Sequence, residues 1–291
     1  MNNLDMSKLR LSPRQILWVS YAVAFILLGF LAWQYFVTLR TQAESFWTNR
    51  LVTIIILVPA VSAAITGTLL TRQFGKGESP HRIWLAFTIG LWFWVAGEII
   101  GSNIDFFPGA AFTSDINLVD LSWLLGYFFL GLSLYFQILL VYGIQKKQGV
   151  PLYLGMVALA LLVALVLTNL TIKAGRGEGS SWALLFVTIL YPVLDAMAGA
   201  TAIWLSILFG RGQWSRPWWG LILFAVTDGI DAFYRSGGYN FIPAWFQNTL
   251  DLTSLLAYPA SYMVAGITLF ANYCILQYGA DSGLLSPAKR P

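Results

Sequence analysis

Asp120-Leu121-Ser122-Trp123-Leu124-Leu125-Gly126-Tyr127 returns later in the chain as Asp251-Leu252-Thr253-Ser254-Leu255-Leu256-Ala257-Tyr258. Six of the eight positions are identical or Ser/Thr exchanges, and Gly126 against Ala257 is small for small. An aspartate and a tyrosine at one spacing, inside leucine-rich surroundings, point to an internal duplication. The segment between Phe74-Gly75 and Arg82-Ile83-Trp84 has a counterpart between Phe209-Gly210 and Arg216-Pro217-Trp218. Each copy of the octapeptide is expected to open a helix, the fourth and the eighth of the chain.

Working outward, apolar runs cover about 15–38, 51–72, 82–104, 118–143, 151–171, 182–209, 217–235 and 249–276. Crossing a bilayer takes roughly 20 apolar residues, so the expected fold is all-α and polytopic, with eight transmembrane helices. They divide into two four-helix repeats, 15–143 and 151–276, between tails at 1–14 and 277–291. Four helices is an even number, so both repeats enter the membrane in the same sense, related by an axis along its normal. Breaks fall at Gly75-Lys76-Gly77, Lys146-Lys147-Gln148-Gly149, Lys173 to Ser181 and Gly210-Arg211-Gly212.

Composition agrees. Of 291 residues, 58% are hydrophobic and 10% charged, against about 25% charged in a soluble domain. Disorder and a nucleic-acid partner are excluded, and the single Cys274 cannot form an intrachain disulfide. With the N-terminus in the cytoplasm, twelve Lys and Arg fall inside and five outside. That bias favours an inner (plasma) membrane protein with both termini cytoplasmic. The lone His81, placed in an inner loop, rules out bis-histidine haem and histidine-rich zinc sites. Asp228-Gly229-Ile230-Asp231 lacks the Gly-x-Gly-Asp order of intramembrane aspartyl proteases. No cofactor or enzymatic activity is expected.

The acids carry the functional signal. Glu98, Asp105, Asp120, Asp195, Asp228, Asp231 and Asp251 lie within or at the mouths of the spans. A carboxylate at a helix centre costs about 2.5–3.5 kcal/mol on insertion scales, so each asks for a partner or a purpose. Glu98 lies about 24 Å along its helix at 1.5 Å per residue. Asp231 precedes Arg235 by four, the favourable order for an ion pair. Tyr191 and Asp195 share a face, so the phenol is expected to donate to that carboxylate. Pro192 frees a backbone carbonyl one turn before it. The candidate ligand-binding set is Glu98, Asp120, Asp195, Asp228, Asp231, Asp251, Tyr191, Tyr258 and Arg235, lining a cavity in the outer half of the membrane. Plainer readings stand beside it. Asp120 and Asp251 could be first-turn acids stabilised by the helix dipole, and Asp228, Asp231 and Arg235 a self-neutralising cluster.

The octapeptide, Tyr191-Pro192-Val193-Leu194-Asp195, and the Asp251 to Pro259 run together resemble the multi-span N-terminal sensory regions of bacterial diguanylate cyclases, phosphodiesterases and histidine kinases. The likeness covers roughly 50–276. It implies a membrane sensor, here expected to stand without an output domain and to act through a separate membrane or cytoplasmic signalling partner. Function is therefore expected to be that of a sensor or ligand-binding module taking a small cationic ligand from an acidic cavity. The competing classes are a cation or small cationic solute transporter or channel, and a scaffolding subunit of a larger membrane complex. In every case the lipid bilayer is the first partner.

Overall fold

Inside lipid no water can satisfy a backbone amide, so apolar runs of this length fold as helices. The structure, a computed structural model, describes residues 12–41, 46–102, 117–144, 149–173, 182–210, 213–282 and 284. Among them there is no strand, and there are eight long helices: α1 (Pro13–Thr41), α2 (Phe46–Thr71), α3 (Ser79–Gly101), α4 (Leu118–Ile144), α5 (Gly149–Lys173), α6 (Trp182–Phe209), α7 (Trp218–Arg235) and α8 (Ala244–Tyr278). Six of these, α1 to α4, α6 and α8, are long and apolar enough to cross a membrane. In α5 the described side chains give the apolar stretch Val157–Leu170, within the run 151–171 read from sequence, and the 18 residues of α7 include Asp228, Asp231 and Arg235. Asp105, Lys146-Lys147-Gln148, the 174–181 connection and the tail segments 1–11 and 285–291 lie outside the described residues.

Pro80 sits in the first turn of α3, where its missing amide is harmless. Pro59, Pro192 and Pro259 lie inside α2, α6 and α8 without ending them. One boundary differs from expectation. Asp251 does not open its helix, because α8 starts at Ala244, immediately after Pro243. The residues Ala244 to Leu250 carry no breaker, so the helix extends two turns ahead of the aspartate.

Six helices close a ring: α2 packs on α3, α3 on α4, α4 on α6, α6 on α7, α7 on α8, and α8 back on α2. The other two stay outside it, α1 against α8 and α5 against α6. Five of the six seams approach closely at a glycine. Gly67 meets Thr88 between α2 and α3; Gly90 meets Leu130 and the Gly126 carbonyl between α3 and α4; Gly199 meets Ala225 between α6 and α7. Gly220 lies against Ser261 and Ala265 between α7 and α8, and Gly266 against the backbone of Ala63 between α8 and α2. The sixth seam, between α4 and α6, is the lightest and is bridged by polar side chains.

Between α3 and α4 two tryptophans lock the helices reciprocally. Trp94 of α3 occupies the space a side chain at Gly126 would need, and Trp123 of α4 the space at Gly97. Inside the ring the buried aromatics pack on one another in two groups. Trp84 stacks on Trp218 at 5.7 Å, Phe87 meets Trp218 edge-on at 5.5 Å, and Phe224 contacts Trp94 at 4.5 Å and Tyr262 at 4.6 Å. All belong to one buried cluster. Outside, α1 buries Leu17 and Leu31 while Phe25 is 80% exposed, the surface expected of a helix in lipid.

Gly126→Ala should lower the thermal stability of the purified protein by about 1–3 kcal/mol, because the added methyl overpacks the Trp94 ring. Gly131→Ala, on the same helix with open space around it, should leave the stability unchanged or raise it by up to about 1 kcal/mol, read as an unchanged or higher melting temperature.

Candidate functional site

The ring encloses a cavity of about 580 Å³. Its walls come from α2, α3, α4, α6, α7 and α8, the six ring helices, with nothing from α1 or α5. The C-terminal parts of α3 and α7 and the N-terminal halves of the other four supply the lining, so the cavity lies at one end of the bundle. Eight of the nine residues expected from sequence line it: Glu98, Asp120, Asp195, Asp228, Asp231, Tyr191, Tyr258 and Arg235.

Asp251 is not among the lining residues. It is exposed and accepts a hydrogen bond from the Tyr239 hydroxyl at 2.6 Å. Tyr239 belongs to a short turn of helix, Gly238–Phe241, that Gly237 admits with φ 80° at the end of α7. Burial pushes the Tyr239 phenol above its ordinary range, and the Asp251 carboxylate pushes it further.

Within the cavity the acids are held by tyrosines from across the ring. Tyr127 of α4 donates to Asp195 of α6 and lies 3.3 Å from Asp228 Oδ2 of α7, so one hydroxyl serves two carboxyl groups. Glu98 of α3 accepts from Tyr258 and, at 2.9 Å, from Tyr262, both on α8. Arg235 pairs with Asp231 at 2.6 Å through its Nε, and both side chains are well exposed at the mouth. That ion pair follows the expected i, i+4 spacing and does not extend to Asp228.

Tyr191 departs from expectation. Its hydroxyl donates not to Asp195 but to Asp120 Oδ1 on α4, at 3.0 Å. Helical side chains lean toward the N-terminus, so Tyr191 points away from a residue four positions ahead and reaches the neighbouring helix instead. Asp120 also behaves as a first-turn acid, since its Oδ2 accepts from the Asn117 amide at 3.0 Å. Such reach-back satisfies an amide that the helix leaves open. It therefore plays both of the parts that its sequence position allowed.

Asp195 is 3% exposed, and its Oδ2 receives no hydrogen bond. The Tyr127 hydroxyl that it accepts from also reaches Asp228 of α7. Trp94 Nε1 and Thr227 Oγ1, also from lining residues, are likewise buried without a partner. A buried polar atom left unpaired costs about 1–3 kcal/mol.

Tyr127, Tyr262, Trp94, Trp123 and Phe224 were not singled out from sequence as site residues, yet all line the cavity. A signal for them existed. Gly90-Leu91, Trp94 and Glu98 align with Gly220-Leu221, Phe224 and Asp228 at one constant offset, next to the Tyr127/Tyr258 match. The contacts follow that alignment. Tyr127 approaches Asp228 as Tyr258 approaches Glu98, and Trp94 packs on Tyr127 at 5.3 Å as Phe224 packs on Tyr258 at 5.6 Å. No protein family matches the chain, and neither curated proteins nor solved structures give a match.

Tyr127→Phe removes the donor shared by Asp195 and Asp228 and should destabilise the protein by about 1–3 kcal/mol. Breaking the exposed pair with Arg235→Gln should cost under about 1 kcal/mol. Thermal melts of the two variants in one detergent check both values.

Proposed function

We propose that this chain is an eight-span membrane protein of two parallel four-helix repeats that binds a small cationic ligand, as a sensor or binding module, in an acidic cavity in the outer half of an inner (plasma) membrane. Both termini are then cytoplasmic. The repeat reading draws support from the reciprocal Tyr127–Asp228 and Tyr258–Glu98 contacts. It also draws on the order of neighbours, since α2, α3 and α4 follow one another around the ring as α6, α7 and α8 do. The outer helices depart from it: α5 packs on the helix that follows it, while α1 packs on α8. The outer placement of the cavity follows from the excess of basic residues on the other side.

One observation carries the functional reading. Asp195 offers a buried carboxylate oxygen without a donor, in a wall that also holds Glu98, Asp120 and Asp228, while the one lining arginine sits at the mouth on Asp231. A buried carboxylate demands positive charge or a proton. Binding is favoured over conduction because three of the aromatics that line the cavity are buried in the core beside it. A transporter would have to part Trp94, Phe224 and Tyr262, which are packed within one core cluster.

Thermal melts of the full chain with lithium, sodium, methylammonium and tetraethylammonium chlorides at matched ionic strength test this reading. At least one cation should raise the melting temperature of the wild type, since a ligand at ten times its Kd adds about 1.4 kcal/mol. Asp195→Asn should fold, with equal or higher basal stability, and lose that gain. No difference between cations, or a gain that survives in the Asn variant, would count against a functional Asp195. Proton-coupled uptake into liposomes, lost on neutralising Glu98 and Asp195, would instead favour transport.

A further inference from the structure

We infer that the ligand of this cavity is an alkylated ammonium, tertiary or quaternary, rather than a metal ion or a primary amine. The inference rests on the cation-binding reading above and narrows its chemistry. Size is the first ground. A space of about 580 Å³ matches the range of organic-ligand pockets and greatly exceeds a bare ion. Coordination is the second. A hard divalent cation such as calcium takes 6–8 oxygens, and among the described residues no three acidic, histidine or cysteine side chains are grouped to hold a metal.

Hydrogen-bond supply bears on which ammonium ion fits. A primary ammonium brings three N–H donors and needs acceptors for them. Here part of the acceptors is already taken. Glu98 Oε1 already receives two tyrosines, Asp195 Oδ1 receives Tyr127, and the two oxygens of Asp120 receive Tyr191 and the Asn117 amide. Asp195 Oδ2 is the buried carboxylate oxygen left without a donor. The carboxylates therefore supply negative charge with part of their lone pairs already spent, and the choice among ammonium ions turns on the rest of the wall.

The rest of the wall is aromatic. Trp94, Trp123, Tyr127, Tyr191, Phe224 and Tyr258 all line the cavity. Aromatic faces attract an organic cation through their quadrupole, most strongly where water is excluded. Alkyl groups on the nitrogen spread the charge and bury apolar surface against those rings. The single N–H of a tertiary ammonium would meet Asp195 Oδ2.

Triethylammonium and hexylammonium are isomers of equal charge that differ in how many N–H groups they carry. Their affinities for the full-length wild type and for Asp195→Asn, by calorimetry in one detergent, test the inference; the part of each affinity lost in the variant is the specific part. Triethylammonium should bind about tenfold more tightly than hexylammonium in that specific part, with tetraethylammonium close to it and sodium far weaker. Equal specific affinities, or a preference for hexylammonium or sodium, would overturn the alkylated-ammonium assignment while leaving a cation site in place. Absence of any Asp195-dependent binding would overturn both the assignment and the cation-binding reading beneath it.

Discussion

Helices in lipid gain little from hiding apolar surface from one another, because the surrounding tails are equally apolar; what holds them is close contact. Here that contact is set by small residues. Each of five ring seams has a glycine where the partner helix comes nearest, and at Gly97 and Gly126 the missing side chains admit whole tryptophan rings. Polar atoms add to the seams where they are dry, as in the buried Thr71–Thr88 contact at 3.2 Å and the Ser133 hydroxyl on the Ile83 carbonyl at 2.9 Å. The ring exists because its helices are allowed to touch.

The seam without such a glycine, between α4 and α6, is where the chemistry collects. Tyr127–Asp195 and Tyr191–Asp120 both cross it. Where tight packing is absent, hydrogen bonds to charged or acidic groups take over the joining, and these bonds are individually stronger than neutral ones. The side chains that join the ring here are thus the same ones that line the cavity. Changing an acid here alters the join between the two halves as well as the charge of the cavity.

Much of this was legible in the chain. The Asp120 and Asp251 octapeptides mark helices that both carry a cavity tyrosine, and the costly acids Glu98, Asp195 and Asp228 do face the protein interior. What failed to show was direction and distance between helices. Spacing of i, i+4 puts Tyr191 and Asp195 on one face, yet it does not say that a phenol leans backward and finds Asp120. Likewise the likeness of Asp251 to Asp120 conceals that α8 begins two turns earlier, which lets Tyr239 take Asp251 outside the cavity. Trp94 and Trp123 carry no mark of their place until the glycines opposite them are known. Those pairings are properties of two helices at once, and no single apolar run contains them.

The ring also has an order of assembly written into it. Its closing member is α8, the last of the eight helices to leave the ribosome, and it alone contacts α1, α2 and α7 together. Until it arrives, α1 has scarcely a neighbour, since its bond from Tyr35 to the Asn248 carbonyl and the packing of Leu31 beside Met263 both wait on α8. Glu98 is in the same position, because both of its tyrosines are on that helix. During synthesis Glu98 is therefore in place before either of its tyrosines.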